Sequence, residues 1–159
     1  MKKKQAAETG DAAAPADALF RRLHHRLTTW PAQVTRRSPT PRSWLPSILQ
    51  RASILLTSPT GSGKTLAAFL GIFDALLGKL ESGTLGASVQ CIYLSPLRAL
   101  AYDIGKNIRA PIAAMRLEKE LRIHLRTGDA PASERAEFRE RAAHILITTP
   151  ESLALMLAH

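Results

Sequence analysis

The stretch Ser58-Pro59-Thr60-Gly61-Ser62-Gly63-Lys64-Thr65 decides the fold class of this chain. A short apolar run at 54–56 precedes it, and an apolar segment of helical length at 66–80 follows it. The two glycines allow successive backbone N–H groups to turn inward and form a nest for phosphate oxygens. The N-terminus of the following helix adds partial positive charge at the same point. Strand, glycine-rich turn and helix in this order predict a phosphate-binding loop.

Residues 58–65 together are the predicted cofactor site. Lys64 is expected to reach the β- and γ-phosphates of ATP, and the Thr65 hydroxyl is expected to coordinate Mg²⁺, so both are candidate catalytic residues. The strict form of this motif begins with glycine, whereas Ser58 stands there. The alternative interpretation is a serine- and glycine-rich turn before a core helix, and the strand–turn–helix context favours the phosphate loop.

The 159 residues carry a formal charge of +9 that is unevenly distributed. Residues 1–51 contain ten Lys or Arg against three Asp or Glu, whereas residues 52–159 contain twelve against ten. A basic arm before a nearly neutral domain indicates contact with a phosphate backbone. A solvated tail that keeps the protein soluble would have the same composition, and composition does not separate the two.

The remaining composition indicates a cytoplasmic protein with no membrane partner. The single cysteine, Cys91, excludes a disulfide framework and fits a reducing compartment. The basic residues 2–4 resemble the start of a signal peptide, but no apolar core follows them at 5–18. No segment has 18 consecutive apolar residues, the length required to span a membrane.

Apolar runs, prolines and caps predict alternating strands and helices after a loop-rich beginning. The expected divisions are a flexible tail at 1–18, a basic helical and loop-rich lead-in at 19–52, and a partial ATP-binding domain at 53–159. The predicted strands are 53–57, 89–95, 123–127 and 145–149. The predicted helices are 19–29, 44–50, 64–80, 97–117 (kinked or split by Pro111 near Arg109), 133–142 (capped by Ser133) and 151–157 (capped by Thr149, with Pro150 as its first residue).

This alternation predicts an α/β fold, with a mainly parallel sheet and helices on both faces. Such sheets bind ligands at the carboxyl ends of their strands. Motif-like polar segments follow all four predicted strands, so function is expected at those ends.

These four segments resemble the motifs of one protein family. In chain order they are the phosphate loop, Leu94–Ala101 (LSPLRALA), Arg126–Arg135 (RTGDAPASER) and Ile147–Leu153 (ITTPESL). They are similar to motifs I, Ia, the TGD-type motif and Ib of superfamily 2 DEAD/DEAH-type ATP-dependent helicases. The resemblance is closest to the large helicase-related (Lhr-like) proteins and covers about residues 39–157. It implies a P-loop NTPase (RecA-like) first motor domain that is incomplete at its C-terminus.

The resemblance also implies a nucleic-acid site and a set of roles. Motif Ia and Ib segments hold the phosphates of single-stranded DNA or RNA with backbone N–H groups, helix N-termini and hydroxyls. The matching positions are Pro96, Leu97, Arg98, Thr127, Gly128, Thr149, Pro150, Glu151 and Ser152. Asp129 is expected to orient its loop rather than to contact phosphate.

Two departures from the family pattern qualify this expectation. Ser43 stands where many relatives have an adenine-sensing glutamine, which puts adenine specificity in doubt. The 159 residues contain no apolar run followed by Asp-Glu, the family's Mg²⁺-binding motif, and no second motor domain. The resemblance places the strands that carry the missing motifs beside the phosphate-loop strand, so we expect neither efficient ATP turnover nor a well-packed monomer without the remainder of the helicase. The alternative is a non-catalytic remnant that at most binds nucleic acid through its basic arm.

Overall fold

The computed structural model describes residues 25–27, 46–57, 59, 64–128, 130 and 132–158. These belong to two compact units, residues 1–67 and residues 68–159, each of which is considered by itself.

The first unit contains short helical turns and an irregular segment. A 3-10 turn spans His25–Leu27, and a helical turn spans 46–49. The helical turn at 46–49 confirms the short helix predicted at 44–50, whereas the predicted helix 19–29 lies largely outside the described residues. The predicted strand Ser53–Thr57 is wrong, because residues 52–57 form no β-ladder and the side chain of Leu55 is 91% exposed. An apolar run becomes a strand only where a neighbouring strand satisfies its N–H and C=O groups, and no described residue does so here.

Helix α1, Lys64–Glu81, confirms the helix predicted at 64–80. Two residues beyond its end, Gly83 takes the left-handed conformation (φ 67°) that glycine adopts without steric cost. The backbone N–H of Thr84 then donates to the Lys79 carbonyl at 2.8 Å. The helix buries a stripe with the spacing of one helical face, made by Phe69, Leu70, Phe73, Leu76 and Leu77.

Three parallel strands form the sheet of the second unit, which confirms the predicted parallel arrangement. Strands β1 (Cys91–Leu94), β2 (Ile123–Arg126) and β3 (Ile145–Thr148) lie in the order β1-β3-β2. The two outer strands, β1 and β2, therefore come first along the chain, and the central strand β3 comes last. All four residues of β3 are buried because this strand has a neighbour on each side and helices over its faces.

Helices α2 (Arg98–Ala114) and α3 (Ala132–Glu140) cover opposite faces of the sheet. On one face, a methyl group at Gly105 of α2 would lie 3.9 Å from Ile147 Cδ1, so the glycine allows α2 to approach β3 closely. On the other face, the Phe138 ring of α3 lies 5.5 Å from the His124 ring. The connection from β1 to β2 runs across the sheet in one direction, and the connection from β2 to β3 runs back. Because crossovers between parallel strands are right-handed, the helices of these two connections lie on opposite faces. Helix α4, Pro150–Leu157, follows β3.

Two details of the predicted helices are wrong. Of the kink or split predicted at Pro111, the split is wrong, because α2 continues through Pro111 to Ala114. Proline removes one hydrogen bond, but Pro111 and Ile112 are buried, and their packing keeps the last turn in place. Ser133 is not an N-cap, since α3 begins one residue earlier, at Ala132. Among the described residues, no helix has the length and apolar character needed to cross a membrane.

Candidate functional site at the carboxyl ends of the strands

Three residues, each following a different strand, meet at one edge of the sheet. Arg98 begins the helix after β1, Gly128 lies two residues after β2, and Ser152 lies in the first turn of the helix after β3. A methyl group at Gly128 would lie 3.4 Å from an Arg98 guanidinium nitrogen and 3.8 Å from Ser152 Oγ. A guanidinium, a bare backbone and a hydroxyl therefore lie side by side.

Ser95 fixes the turn that leads from β1 to Arg98. Its backbone N–H donates to the Thr148 carbonyl at 2.9 Å, which extends the pairing of β1 with β3 by one residue. Its hydroxyl donates to the Leu97 carbonyl at 3.0 Å, and its side chain is only 1% exposed. The sequence interpretation did not assign a role to Ser95, although a hydroxyl directly after a buried strand was a signal for one.

Thr148 was also unassigned, and it ties β3 to the end of β2. Its buried hydroxyl donates to the Arg126 carbonyl at 2.5 Å. The Arg126 guanidinium lies 5.6 Å from the centre of the Phe138 ring, at cation–π distance. These contacts hold the end of β2, and with it the turn at Gly128, in register with β3.

Thr149 and Pro150 start α4 as predicted. Thr149 has an extended backbone, and its Oγ1 accepts a hydrogen bond from the Ser152 backbone N–H at 3.4 Å. Pro150 occupies the first helical position, where a missing N–H costs nothing. The N-cap and N1 assignments are confirmed.

The start of α2 has no equivalent cap. Leu97 is its N-cap residue and makes no side-chain hydrogen bond to the first turn. The first backbone N–H groups of a helix have no acceptor within the helix and carry partial positive charge. The beginning of α2 therefore supplies N–H groups suited to an anion at the carboxyl ends of the strands. At the start of α4, the N–H groups of Glu151 and Ser152 already donate to the side chains of Glu151 and Thr149.

Glu151 is an exposed carboxylate at the same edge. A hydrogen bond from its own backbone N–H, the Thr149 side chain and the positive charge of Arg98 together hold its pKa below the ordinary value. Glu151 therefore stays ionised at neutral pH, and it offsets part of the positive charge that Arg98 presents.

The other predicted contact residues differ in exposure. Thr127 is 3% exposed, and Thr149 and Ser152 are also buried, so these three side chains lie beneath the exposed residues of the predicted site. The exposed members of the set are Pro96, Leu97, Arg98, Gly128, Pro150 and Glu151. Asp129 lies outside the described residues.

The phosphate loop is described only at its two ends. Lys64 Nζ donates to the Pro59 carbonyl at 2.8 Å, and Thr65 is exposed in the first turn of α1. The ammonium group of Lys64 therefore contacts the carbonyl of the second residue of the predicted phosphate loop. The predicted cofactor residues Ser58, Thr60, Gly61, Ser62 and Gly63 lie outside the described residues.

Comparison with known proteins identifies relatives over most of the chain. The chain is 40% identical over 147 residues to the ATP-dependent helicase Lhr-Core of Methanothermobacter thermautotrophicus, a match that covers 85% of this chain and 17% of that protein. It is 42% identical over 115 residues to the Lhr helicase/uracil glycosylase of Escherichia coli, covering 65% of this chain and 8% of the relative. The chain therefore spans less than a fifth of the length of these curated relatives.

Solved structures give the same result for the fold. The Mycobacterium smegmatis helicase Lhr bound to ssDNA and AMP-PNP matches with a TM-score of 0.75 at 32% identity, over 89% of this chain and 18% of that chain. The DEAD-box helicase Mss116 matches with a TM-score of 0.72 at 20% identity, over 86% of this chain and 28% of its own, which supports the RecA-like fold alone.

The resemblance recognised in the four sequence motifs is therefore confirmed. The family model described as DEAD/DEAH box helicase matches residues 38–159, most of the chain. The chain belongs to the DEAD/DEAH box helicase family.

Proposed function

We propose that this chain is the ATP- and nucleic-acid-binding part of a superfamily 2 ATP-dependent helicase and that it acts with the remainder of such an enzyme. The observation that carries the proposal is the meeting of Arg98, Gly128 and Ser152 at the carboxyl ends of three parallel strands. These contacts suit a phosphate backbone, because none of them requires a particular base.

The nucleic-acid site would hold one strand by its phosphates. Arg98 would pair with a phosphate, and the N–H groups at the start of α2 would donate to phosphate oxygens. Gly128 leaves the backbone open between the Arg98 and Ser152 side chains. The Mycobacterium smegmatis helicase Lhr, which is 32% identical to this chain over the matched region, was solved with ssDNA, and this supports single-stranded nucleic acid as the partner.

The nucleotide site would be the loop at 58–65. Lys64 is held 2.8 Å from the Pro59 carbonyl, and a bound phosphate oxygen would replace that carbonyl as its partner. Thr65, an exposed hydroxyl beside Lys64, fits the role of one oxygen ligand to Mg²⁺. Bound Mg²⁺ would neutralise charge on the phosphates, while Lys64 and Thr65 position them.

The experiment that tests the nucleic-acid site is the binding of a labelled oligo(dT) and a labelled oligo(U), measured by fluorescence anisotropy at several salt concentrations. Arg98→Ala should weaken both about equally and make the salt dependence shallower by about one phosphate contact. Arg139→Ala, which removes an exposed arginine from the end of α3, is the matched control. Equal affinities of the Arg98→Ala and Arg139→Ala variants would contradict the proposed site.

A further inference from the structure

A groove runs along the outer edge of β2, where no described strand pairs with it, on the side covered by α2. It consists of two adjoining cavities of about 710 and 400 Å³. Arg109, Ile123 and His124 line both cavities, so the two form one continuous surface. This surface is separate from the meeting point of Arg98, Gly128 and Ser152, since none of those three residues lines it.

The groove is strongly positive. Its cationic lining is Lys106, Arg109, Lys119, Arg122 and Arg141, against one carboxylate, Glu118. Among these cations only Arg122 has a contact within the described part of the chain: its Nε donates to the Ala142 carbonyl at 3.0 Å. Four positive side chains therefore face the groove without an acidic partner among the described residues.

The backbone of β2 offers to the same groove hydrogen-bonding groups that pair with no described residue. The Arg122 carbonyl accepts hydrogen bonds from the N–H groups of His144 and Ile145, at 2.9 and 3.1 Å, so the backbone carbonyl of Arg122 points toward β3. The side to which the backbone N–H and C=O groups point alternates from one residue of a strand to the next. The N–H and C=O groups of Ile123 and Leu125 therefore point away from β3. Strand β2 is the edge of the sheet on this side, and no described strand pairs with it there.

We propose that this groove binds an extended acidic segment of a partner protein, which adds to the sheet as a strand beside β2. An open edge binds an extended chain through main-chain hydrogen bonds, and side-chain chemistry then gives specificity. Carboxylates of the segment would pair with Arg109 and its neighbouring cations. A second copy of this chain would bring like charges together, and a nucleic acid has no regularly spaced amides to pair with Ile123 and Leu125.

The test uses the full chain and a labelled ten-residue peptide of alternating Glu and Val, with binding measured by fluorescence anisotropy. Arg109→Glu should weaken binding at least about fivefold, whereas Arg139→Glu, with the same change in net charge, should leave it within about twofold. A peptide with an N-methyl group on every backbone amide keeps every carboxylate but has no N–H group with which to pair as a strand. It should bind at least about tenfold more weakly than the parent peptide, a result that does not depend on any protein variant.

Three outcomes would overturn the proposal. The first is equal affinity of the Arg109→Glu and Arg139→Glu variants for the peptide. The second is undiminished binding of the N-methylated peptide. The third is displacement of the peptide by oligo(dT) with the same loss on Arg109→Glu, which would make the groove a nucleic-acid surface instead.

Discussion

The Thr149 hydroxyl contacts Ser152 in two ways at the start of α4. It accepts from the Ser152 backbone N–H at 3.4 Å and donates to Ser152 Oγ at 3.0 Å, and both side chains are buried. One threonine thus caps the helix and fixes the hydroxyl that lies beside Gly128. The stability of the second unit and the shape of the proposed nucleic-acid site depend on the same contact.

Thr149→Ala should lower the free energy of unfolding by about 1 kcal/mol or somewhat more. The reason is the loss of the N-cap acceptor, together with a buried Ser152 hydroxyl left without its partner. Thr149→Ser keeps a capping hydroxyl and is the control. Urea unfolding followed by circular dichroism measures both variants, and equal loss in the two would show that the threonine methyl group matters rather than the cap.

Gly128→Ala should separate folding from nucleic-acid binding. The added methyl group would lie 3.4 Å from the end of the flexible Arg98 side chain, which is ordinary contact, so the unfolding free energy should change by less than about 0.5 kcal/mol. The same methyl group would stand between Arg98 and Ser152 and hinder a phosphate from approaching the backbone. We expect weaker oligo(dT) binding at unchanged thermal stability. Unchanged affinity would mean that no phosphate lies against Gly128.

Lys64→Ala should remove most binding of Mg-ATP. The lysine is the one described cation of the phosphate loop, and its ammonium group donates to the Pro59 carbonyl. Isothermal titration calorimetry with Mg-AMP-PNP measures the effect, with Arg139→Ala as the control for lost positive charge. The phosphate-loop assignment would fail if Lys64→Ala and the unchanged protein bound nucleotide equally well.

Acid should destabilise the second unit through His144. Burial, and then the positive charge of Arg122, lower the pKa of His144 below its ordinary value of 6.5. The unfolded chain therefore takes up this proton at a higher pH than the folded chain, so stability should fall as the pH drops below about 6.5. His144→Gln should flatten the pH dependence between 5 and 7 in urea unfolding, whereas His25→Gln, at an exposed histidine, should not. A profile that is unchanged by His144→Gln would contradict this assignment.

The basic arm should give salt-dependent binding that is independent of base sequence. For single strands, log affinity should fall against log salt with a slope of about 0.7 for each neutralised phosphate. Deletion of residues 2–42 should reduce both affinity and slope, as measured by anisotropy with oligo(dT). If the deletion changes neither, the arm acts only as a solubility tail.

Local signals in the sequence determined much of the secondary structure of this protein and also its family. An apolar segment of helical length predicted α1, and short apolar runs predicted the three strands within one or two residues. Thr149 followed by Pro150 predicted the start of α4, because a cap depends only on neighbouring residues. The four motifs also predicted the family, which the family model confirms.

Tertiary structure decided the features that depend on contacts between residues far apart in the sequence. Strand order places β3 in the centre and leaves β2 at an edge, and no local pattern encodes that choice. The same order brings Gly128 within contact distance of Arg98 and Ser152, and it collects Arg109, Lys119 and Arg141 around one groove. Residues 53–57 have the composition of a strand and yet form none, because a strand is made by its neighbour's hydrogen bonds and not by its own side chains alone.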